Sequence, residues 1–239
     1  AGLAGYLAYD YGRQLEALPE QARHDIPLPD LAFGLYDWSL VSDHQQQRCW
    51  LVCHPSVSPA RQAQLLTALE QPAEPASTFS LTAPFGADQS KCQYAAAFER
   101  IQQYIHAGDC YQINLAQRFS ATFSGDPLEA YTRLRERSPT PFSAYLEVPG
   151  GALLSLSPER FIEVREGRVE TRPIKGTRPR GQSADEDHAL AQELLDCNKD
   201  RAENLMIVDL LRNDLGRSCK PGSIRVPELF SLESYPNVH

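Results

Sequence analysis

The residues best placed to do chemistry lie between Thr171 and Gly181, in the run TRPIKGTRPRG. One lysine, Lys175, sits there between an apolar Pro-Ile pair and Gly176, with Arg172, Arg178 and Arg180 close by in sequence. Desolvation and like charge both disfavour an ammonium, so a lysine in this setting gives up its proton more readily. The free amine is a nucleophile and the ammonium is not, which makes Lys175 a candidate for covalent work. The same residues also read as a solvated basic loop that grips a phosphate or a surface carboxylate.

Carboxylates come next. Glu159, in LSPERF, follows a strand candidate behind Pro158, and by itself reads as an exposed loop carboxylate. Glu203, Asp209 and Asp214 fall on a helix candidate, NKDRAENLMIVDLLRNDLGR, that is apolar almost all round. Such a pattern predicts a buried helix, and a buried carboxylate needs a cation, a metal or a proton. Arg212 or Arg217 could pair with Asp209 or Asp214. Glu203, in the first turn, could face an oxygen-liking cation such as Mg²⁺, although no dense cluster of ligand residues accompanies it.

The elements that must position these groups follow from periodicity and caps. Leu31 to Val41 and Arg48 to Cys53 are strand candidates joined by a polar turn, hence a hairpin. Pro59 to Glu70 has the pattern of a short helix, and Gln71 to Gln89 is a Pro/Ala/Ser-rich linker candidate. Ser90 with Gln93 forms a capping box for a helix that Gly108 closes. In DCYQINLAQRF, Tyr111, Ile113, Leu115 and Phe119 alternate with Gln112, Asn114, Ala116 and Arg118. The first set is expected to be core, and the second faces either solvent or a polar pocket. Ser143 to Val148, Ala152 to Leu156, Phe161 to Arg165 and Arg168 to Thr171 read as strands, the last two joined by a Glu166-Gly167 turn. Ser183 and Glu186 suggest a second capping box, ahead of a helix that breaks near Cys197-Asn198.

At 239 residues and 42% hydrophobic, the chain can bury a substantial core. Its net charge of −8 argues against a nucleic-acid binder, which relies on cationic contacts to phosphate. No run approaches the ~18 apolar residues of a membrane span, and no signal-peptide pattern opens the chain. The six cysteines are scattered, with no CxxC spacing, and read as reduced thiols of a cytoplasmic protein. The only methionine is Met206, so the chain is read as an internal fragment of a longer protein.

Five ordered blocks, GDCYQINLAQRF, SPTPFSAYL, SPERF, RPIKGTRPRG and DRAENLMIVDLLRNDLGR, resemble those of the chorismate-utilising enzymes, the family of anthranilate synthase component I. Lysine in the PIKGT block resembles the aminodeoxychorismate synthase branch, since the anthranilate branch reads PIAGT there. The resemblance implies conversion of chorismate and ammonia, supplied by a glutaminase (glutamine amidotransferase) partner, to 4-amino-4-deoxychorismate for p-aminobenzoate and folate. It makes Lys175 the nucleophile, Glu159 the acid/base group, and Glu203 one of two glutamates that hold Mg²⁺. Thr177 and Gly176 would line the site. Gln112 stands where relatives that use water carry a lysine, and a glutamine cannot be that base. Arg172, Arg178 and Arg180, with Mg²⁺, would offset the substrate's charge. Pro141, Phe142 and Ser143 match a block that lines a tryptophan pocket in some members.

The fold implied is α+β, antiparallel β-sheets packed face to face with flanking helices, incomplete in this chain. Residues 1–70 would belong to the N-terminal region, 71–89 to a linker and 90–239 to the chorismate-binding domain. The fragment alone is expected to be inactive, and Glu159, Lys175 and Glu203 are expected to converge on one cavity. The alternatives are anthranilate synthase component I, or a remnant without chemistry that binds tryptophan or a partner.

Overall fold

Strand pairing in the computed structural model, which describes residues 2–20, 22–73 and 77–239, is antiparallel throughout. The opening run forms β1 (Gly2–Leu7), which pairs with β2 (Leu31–Tyr36) from Gly2↔Tyr36 to Leu7↔Leu31. The expected first strand of the hairpin is divided at Asp37. Its second half, β3 (Trp38–Asp43), joins a different ladder with β4 (Arg48–Cys53). Asp43 Oδ1 accepts from the nitrogens of Gln45 and Gln46, both at 2.9 Å, which holds the polar turn closed. Helix α1 (Pro59–Glu70) starts as its sequence predicts, with Pro59 in the first turn and Ser58 Oγ accepting from Arg61 N.

The chain's contacts define two units, Ala1–Ala73 with Tyr131–His239, and Glu74–Ala130. The second unit holds β5 (Ser80–Leu81), β6 (Gly86–Ala87), α2 (Lys91–Ala107), β7 (Phe119–Ser120) and β8 (Phe123–Ser124), paired β5 with β8 and β6 with β7. Two of these strands lie in the 71–89 stretch read as linker. Its residues 74–76 lie outside the described residues. The Pro-rich composition concealed strands whose partners are some forty residues downstream. The capping box of α2 is complete, and Gly108 ends the helix in the left-handed region at φ 81°.

The alternating segment before β7 differs from expectation. Residues 111–118 are irregular, and Tyr111 and Phe119 are more than half exposed instead of forming a core face. Alternation makes a strand only where a ladder is available to satisfy its backbone; no strand is formed over 111–118, and the β6–β7 ladder reaches it only at its end, where Asp88 N donates to Arg118 O at 3.0 Å.

After α3 (Pro127–Arg137) come β9 (Phe142–Val148) and β10 (Gly151–Ser157), the longest ladder, then β11 (Glu163–Arg165) and β12 (Arg168–Glu170). The β11–β12 turn has Glu166 and Gly167 at φ 51° and 75°, the primed geometry that matches strand twist. Helix α4 (Ala184–Asp196) has half of its expected box. Ser183 Oγ accepts from Glu186 N, but Glu186 Oε2 reaches back to Gln182 N. After a break at Cys197 comes α5 (Asn198–Gly216).

The core is thinner than composition suggested. In the larger unit the buried apolar side chains are Val57, Leu65, Tyr131 and Ala191. Each ladder is two strands wide, so the apolar face of a strand has little to cover it. Helix α5 is not the buried helix its sequence predicts. No residue of it is fully buried, and Leu205 is 51% exposed. Asn204, Val208, Leu211 and Leu215 recur at helical spacing and line a cavity, while Leu205, Met206 and Leu210 are exposed. Asp209 does pair with Arg212, at 3.1 Å, as an exposed pair. Among the described residues no helix is long and apolar enough to cross a membrane.

Candidate active site

The cavity of about 1040 Å³ beside α5 lies within the larger unit, and residues 158–239 build it. One wall is the lysine loop, irregular between β12 and the bridge at Pro179. It is anchored at many points. Thr171 Oγ1 donates to Phe161 O at 2.5 Å, Asn204 Nδ2 donates to Pro173 O at 3.4 Å, and Ile174 N donates to Glu159 Oε1 at 2.9 Å. Beyond the lysine, Arg178 and His239 exchange two backbone hydrogen bonds, at 3.0 and 2.9 Å, and Pro179 bridges to Val238. Gly176 is left-handed at φ 79°. A Cβ there would come within 2.8 Å of Asp200 Cγ and Leu194 Cδ1, so glycine is demanded twice.

Lys175 sits half-buried at the centre of this loop and lines the cavity. It makes no hydrogen bond or ion pair among the described residues. The three arginines around it are differently placed from expectation. Arg172 Nε lies 2.6 Å from Glu170 and Arg178 Nε 2.7 Å from Glu193, and Arg180 is bidentate on Asp187. They are matched by carboxylates of β12 and α4, so they neither crowd the lysine with bare charge nor stand free for a ligand. Glu170's carboxyl is held below its usual range by Arg172 first and then Arg160, with burial opposing. The cavity's cations without a carboxylate partner, among the described residues, are Arg168, Lys175, Arg201, Lys220 and Arg225. Arg201 is backed by the Phe230 ring, 4.6 Å from its centroid.

Glu159 lies beside the lysine through its bond to Ile174, but it is exposed and does not line the cavity, although Pro158 does. Glu203 is half-buried on α5, and it too is absent from the cavity lining, whereas Asn204 and Asp200 are present. Asp200 keeps a buried oxygen, Oδ2, without a hydrogen bond, 3.3 Å from Arg178 Nη1. Thr177 and Gly176 line the cavity with Lys175. Gln112 lies in the other unit's irregular segment. Phe142 opens β9, Pro141 precedes it, and Ser143 Oγ is 2.6 Å from Thr140 Oγ1; none of the three lines this cavity.

The segment from Glu233 to His239, the closing segment, is part of the site. Tyr235 Oη donates to Glu233 Oε2 at 2.5 Å and lies 3.3 Å from Pro158 O. Burial, then the Glu233 carboxylate, pushes its phenol up to about 12. His239 is buried, its ring between Ser234 Oγ at 2.9 Å and Asp187 Oδ1 at 3.0 Å. Asp187 is held far below the usual carboxylate range by Arg180 first, then by the Gly181 nitrogen and His239, against desolvation. The available signal was the acidic first turn of α4 behind an arginine-rich loop, which calls for ion pairs; nothing local pointed to His239.

Comparison with known proteins places these features in a family. The model of the chorismate binding enzymes matches residues 1–239. Aminodeoxychorismate synthase component 1 of Klebsiella aerogenes and that of Escherichia coli K12 are each 50% identical over 238 residues, covering all of this chain and 52% of the relative. Anthranilate synthase component 1 of Thermus thermophilus is 38% identical over 242 residues, covering 99% of this chain and 52% of its own. The crystal structure of anthranilate synthase component I from Streptococcus pneumoniae superposes with a TM-score of 0.82 at 28% identity, over 99% of this chain and 56% of that one. The chain spans about half the length of the curated relatives it matches. With a whole-chain family match and an α+β arrangement shared with a solved member, the chain belongs to the chorismate binding enzymes.

Proposed function

We propose that the whole protein is the chorismate-converting component of an aminodeoxychorismate synthase. The observation that carries this is Lys175: an unpaired amine on a loop anchored on both sides, lining a cavity with an excess of unpaired cations. Such a cavity suits a small dicarboxylate, because oriented positive charge in a cleft concentrates anions. The relatives at 50% identity bear the name of that activity, and this supports the assignment.

In the proposed reaction the neutral amine of Lys175 adds to C2 of chorismate. Both ring double bonds shift, C1=C2 to C1=C6 and C5=C6 to C4=C5, and the C4–O bond breaks with the hydroxyl leaving as water on a proton from Glu159. Ammonia then adds at C4, both double bonds shift back, and the C2–N bond breaks to restore the amine. The surplus proton of the incoming ammonia returns to Glu159. One displacement at a poor centre thus becomes two easier ones, and acid help of this type is worth about 10²–10⁴ in rate. Glu159 is tied to the backbone next to the lysine, which suits a group that serves both steps.

Mg²⁺ belongs to this proposal through Glu203. This ion is commonly held by one or two carboxylates with water and substrate oxygens. Glu203 is the proposed ligand although it stands outside the cavity lining, and Asp200, one turn earlier, lines the cavity with an oxygen that makes no hydrogen bond and lies 3.3 Å from Arg178 Nη1. Among the described residues no cluster of three ligands exists, so the substrate's carboxylate would complete it. When bound, the ion would neutralise the ring carboxylate. The name component 1 implies a second component, here proposed to be a glutaminase that supplies ammonia. Work in the cytoplasm and a tryptophan site at Pro141, Phe142 and Ser143, apart from the lysine cavity, complete the proposal.

The test is the whole protein with chorismate and an ammonium salt, its product identified by NMR. An amino group at C4, lost in Lys175→Ala, is expected. A product aminated at C2, or undiminished turnover without the lysine amine, would overturn the assignment.

A further inference from the structure

Four donors from two segments converge on Asp187, in the first turn of α4. They are Arg180 Nε at 2.8 Å, Arg180 Nη2 at 2.6 Å, Gly181 N at 2.8 Å and His239 Nε2 at 3.0 Å. The loop passes so close to this turn that a Cβ on Gly181 would stand 2.2 Å from Asp187 N. Arg180 is fixed a second time, its Nη1 donating to Tyr235 O at 2.8 Å. His239 and Arg178 pair through their backbones. One carboxylate therefore joins α4, the far end of the lysine loop and the closing segment. An ionised carboxylate only accepts, so His239 Nε2 must donate to it. In the neutral ring Nδ1 is then left to accept from Ser234 Oγ.

We propose that Asp187 is a positioning residue for Lys175: by holding Arg180 and His239 together it fixes where the loop leaves the cavity wall, and so how the lysine enters the cavity. Lys175 is bracketed by Ile174, bonded to Glu159, and Arg178, bonded to His239. Four residue steps separate these anchors, a span too short for the lysine to keep its place if one anchor drifts. Glu186, in the same turn, takes no part, because its carboxylate is on Gln182 N. The inference rests on the proposed role of Lys175 as nucleophile.

The test uses the whole protein with Asp187→Asn, and with Ser183→Ala as a control that removes the cap of the same helix without touching the loop. Four readouts are taken: the thermal midpoint, kcat and KM for chorismate, and the acetylation of Lys175 relative to Lys91 by peptide mass spectrometry. Asp187→Asn is expected to lower kcat at least about tenfold with KM changed far less, as misplacement of a reacting group does. It is also expected to shift the Lys175:Lys91 ratio at least about threefold. Ser183→Ala is expected to lower the midpoint and leave the ratio and kcat unchanged. If Asp187→Asn does not fold, Arg180→Lys, which keeps the charge and loses the fork, is expected to move the same quantities less far. Loss of midpoint with an unchanged ratio and kcat would overturn the inference. A wild-type protein that gives no C4-aminated product would sink the functional assignment instead, and the labelling ratio would still decide the role of Asp187.

Discussion

Ile174 N donates to Glu159 Oε1 at 2.9 Å, so the carboxylate proposed as acid and base is bonded to the residue just before the proposed nucleophile. The bond couples SPERF to PIKGT, blocks separated by a β-hairpin in sequence, and gives Glu159 two separable duties. An amide oxygen can accept from Ile174 but cannot carry the proton. Glu159→Gln is therefore expected to keep the wild-type thermal midpoint while losing about 10²–10⁴ in turnover. Glu159→Ala is expected to lose the midpoint as well. Melting curves and steady-state rates on both variants check this, and equal activity in Glu159→Gln and wild type would remove Glu159 from the chemistry.

Gly176 offers the clearest backbone prediction. Its φ of 79° costs a non-glycine residue about 1–2 kcal/mol, and the new methyl would meet the Asp200 carboxylate and Leu194. Gly176→Ala is expected to lower stability by at least that amount, read as a lower urea midpoint with unchanged slope. Gly222→Ala, at a similar φ of 73° with open space around it, separates the strain from the clash.

Local order was the part of this fold written plainly in the chain. Ser58, Ser90 and Gly108 bound their helices where caps should be, and the Glu166-Gly167 turn falls where the sequence puts it, with Gly167 taking the positive φ that glycine favours. What failed were inferences from hydrophobic pattern to burial. The alternation of Tyr111 to Phe119 and the apolar girth of α5 promised buried faces, yet burial depends on what another segment places against that face. Periodicity says nothing about that. The site divides in the same way. Lys175, Gly176 and Thr177 were legible because one short block carries them. Asp187, Tyr235 and His239 were not, because their roles come from contacts across some fifty residues. The arginines were misjudged for the same reason: their number was visible in sequence, and the carboxylates that neutralise them were not.

The Asp187 cluster makes stability depend on acid. Its carboxyl is depressed in the folded state, so its contribution is complete above the ordinary aspartate range, about 4, and is lost as pH falls below that towards the folded value. The wild-type midpoint is expected to fall steeply as pH is lowered from about 4 towards 2. Asp187→Asn is expected to start lower at neutral pH and show a shallower decline, since its amide does not titrate. Thermal scans of the two proteins across that range check it, and parallel curves would show that other carboxylates set the acid limit.

Tyr235 titrates in the opposite sense. Its phenol is raised to about 12 by burial and by the Glu233 carboxylate, so the neutral, donating form is the one that stabilises the fold. That contribution is complete below the ordinary tyrosine value of about 10 and is lost as pH rises through the folded value. Ultraviolet difference titration of wild type against Tyr235→Phe is expected to show no phenolate from this residue near pH 10, the ordinary tyrosine value. Glu233→Gln keeps an acceptor and removes the repelling charge, so it is expected to bring the titration of Tyr235 down. Because Tyr235 also receives Arg180 on its carbonyl and faces Pro158 O with its hydroxyl, its ionisation should loosen the closing segment from the lysine loop. Acetylation of Lys175 relative to Lys91 should then change above about pH 11 in wild type, and in Glu233→Gln at a lower pH.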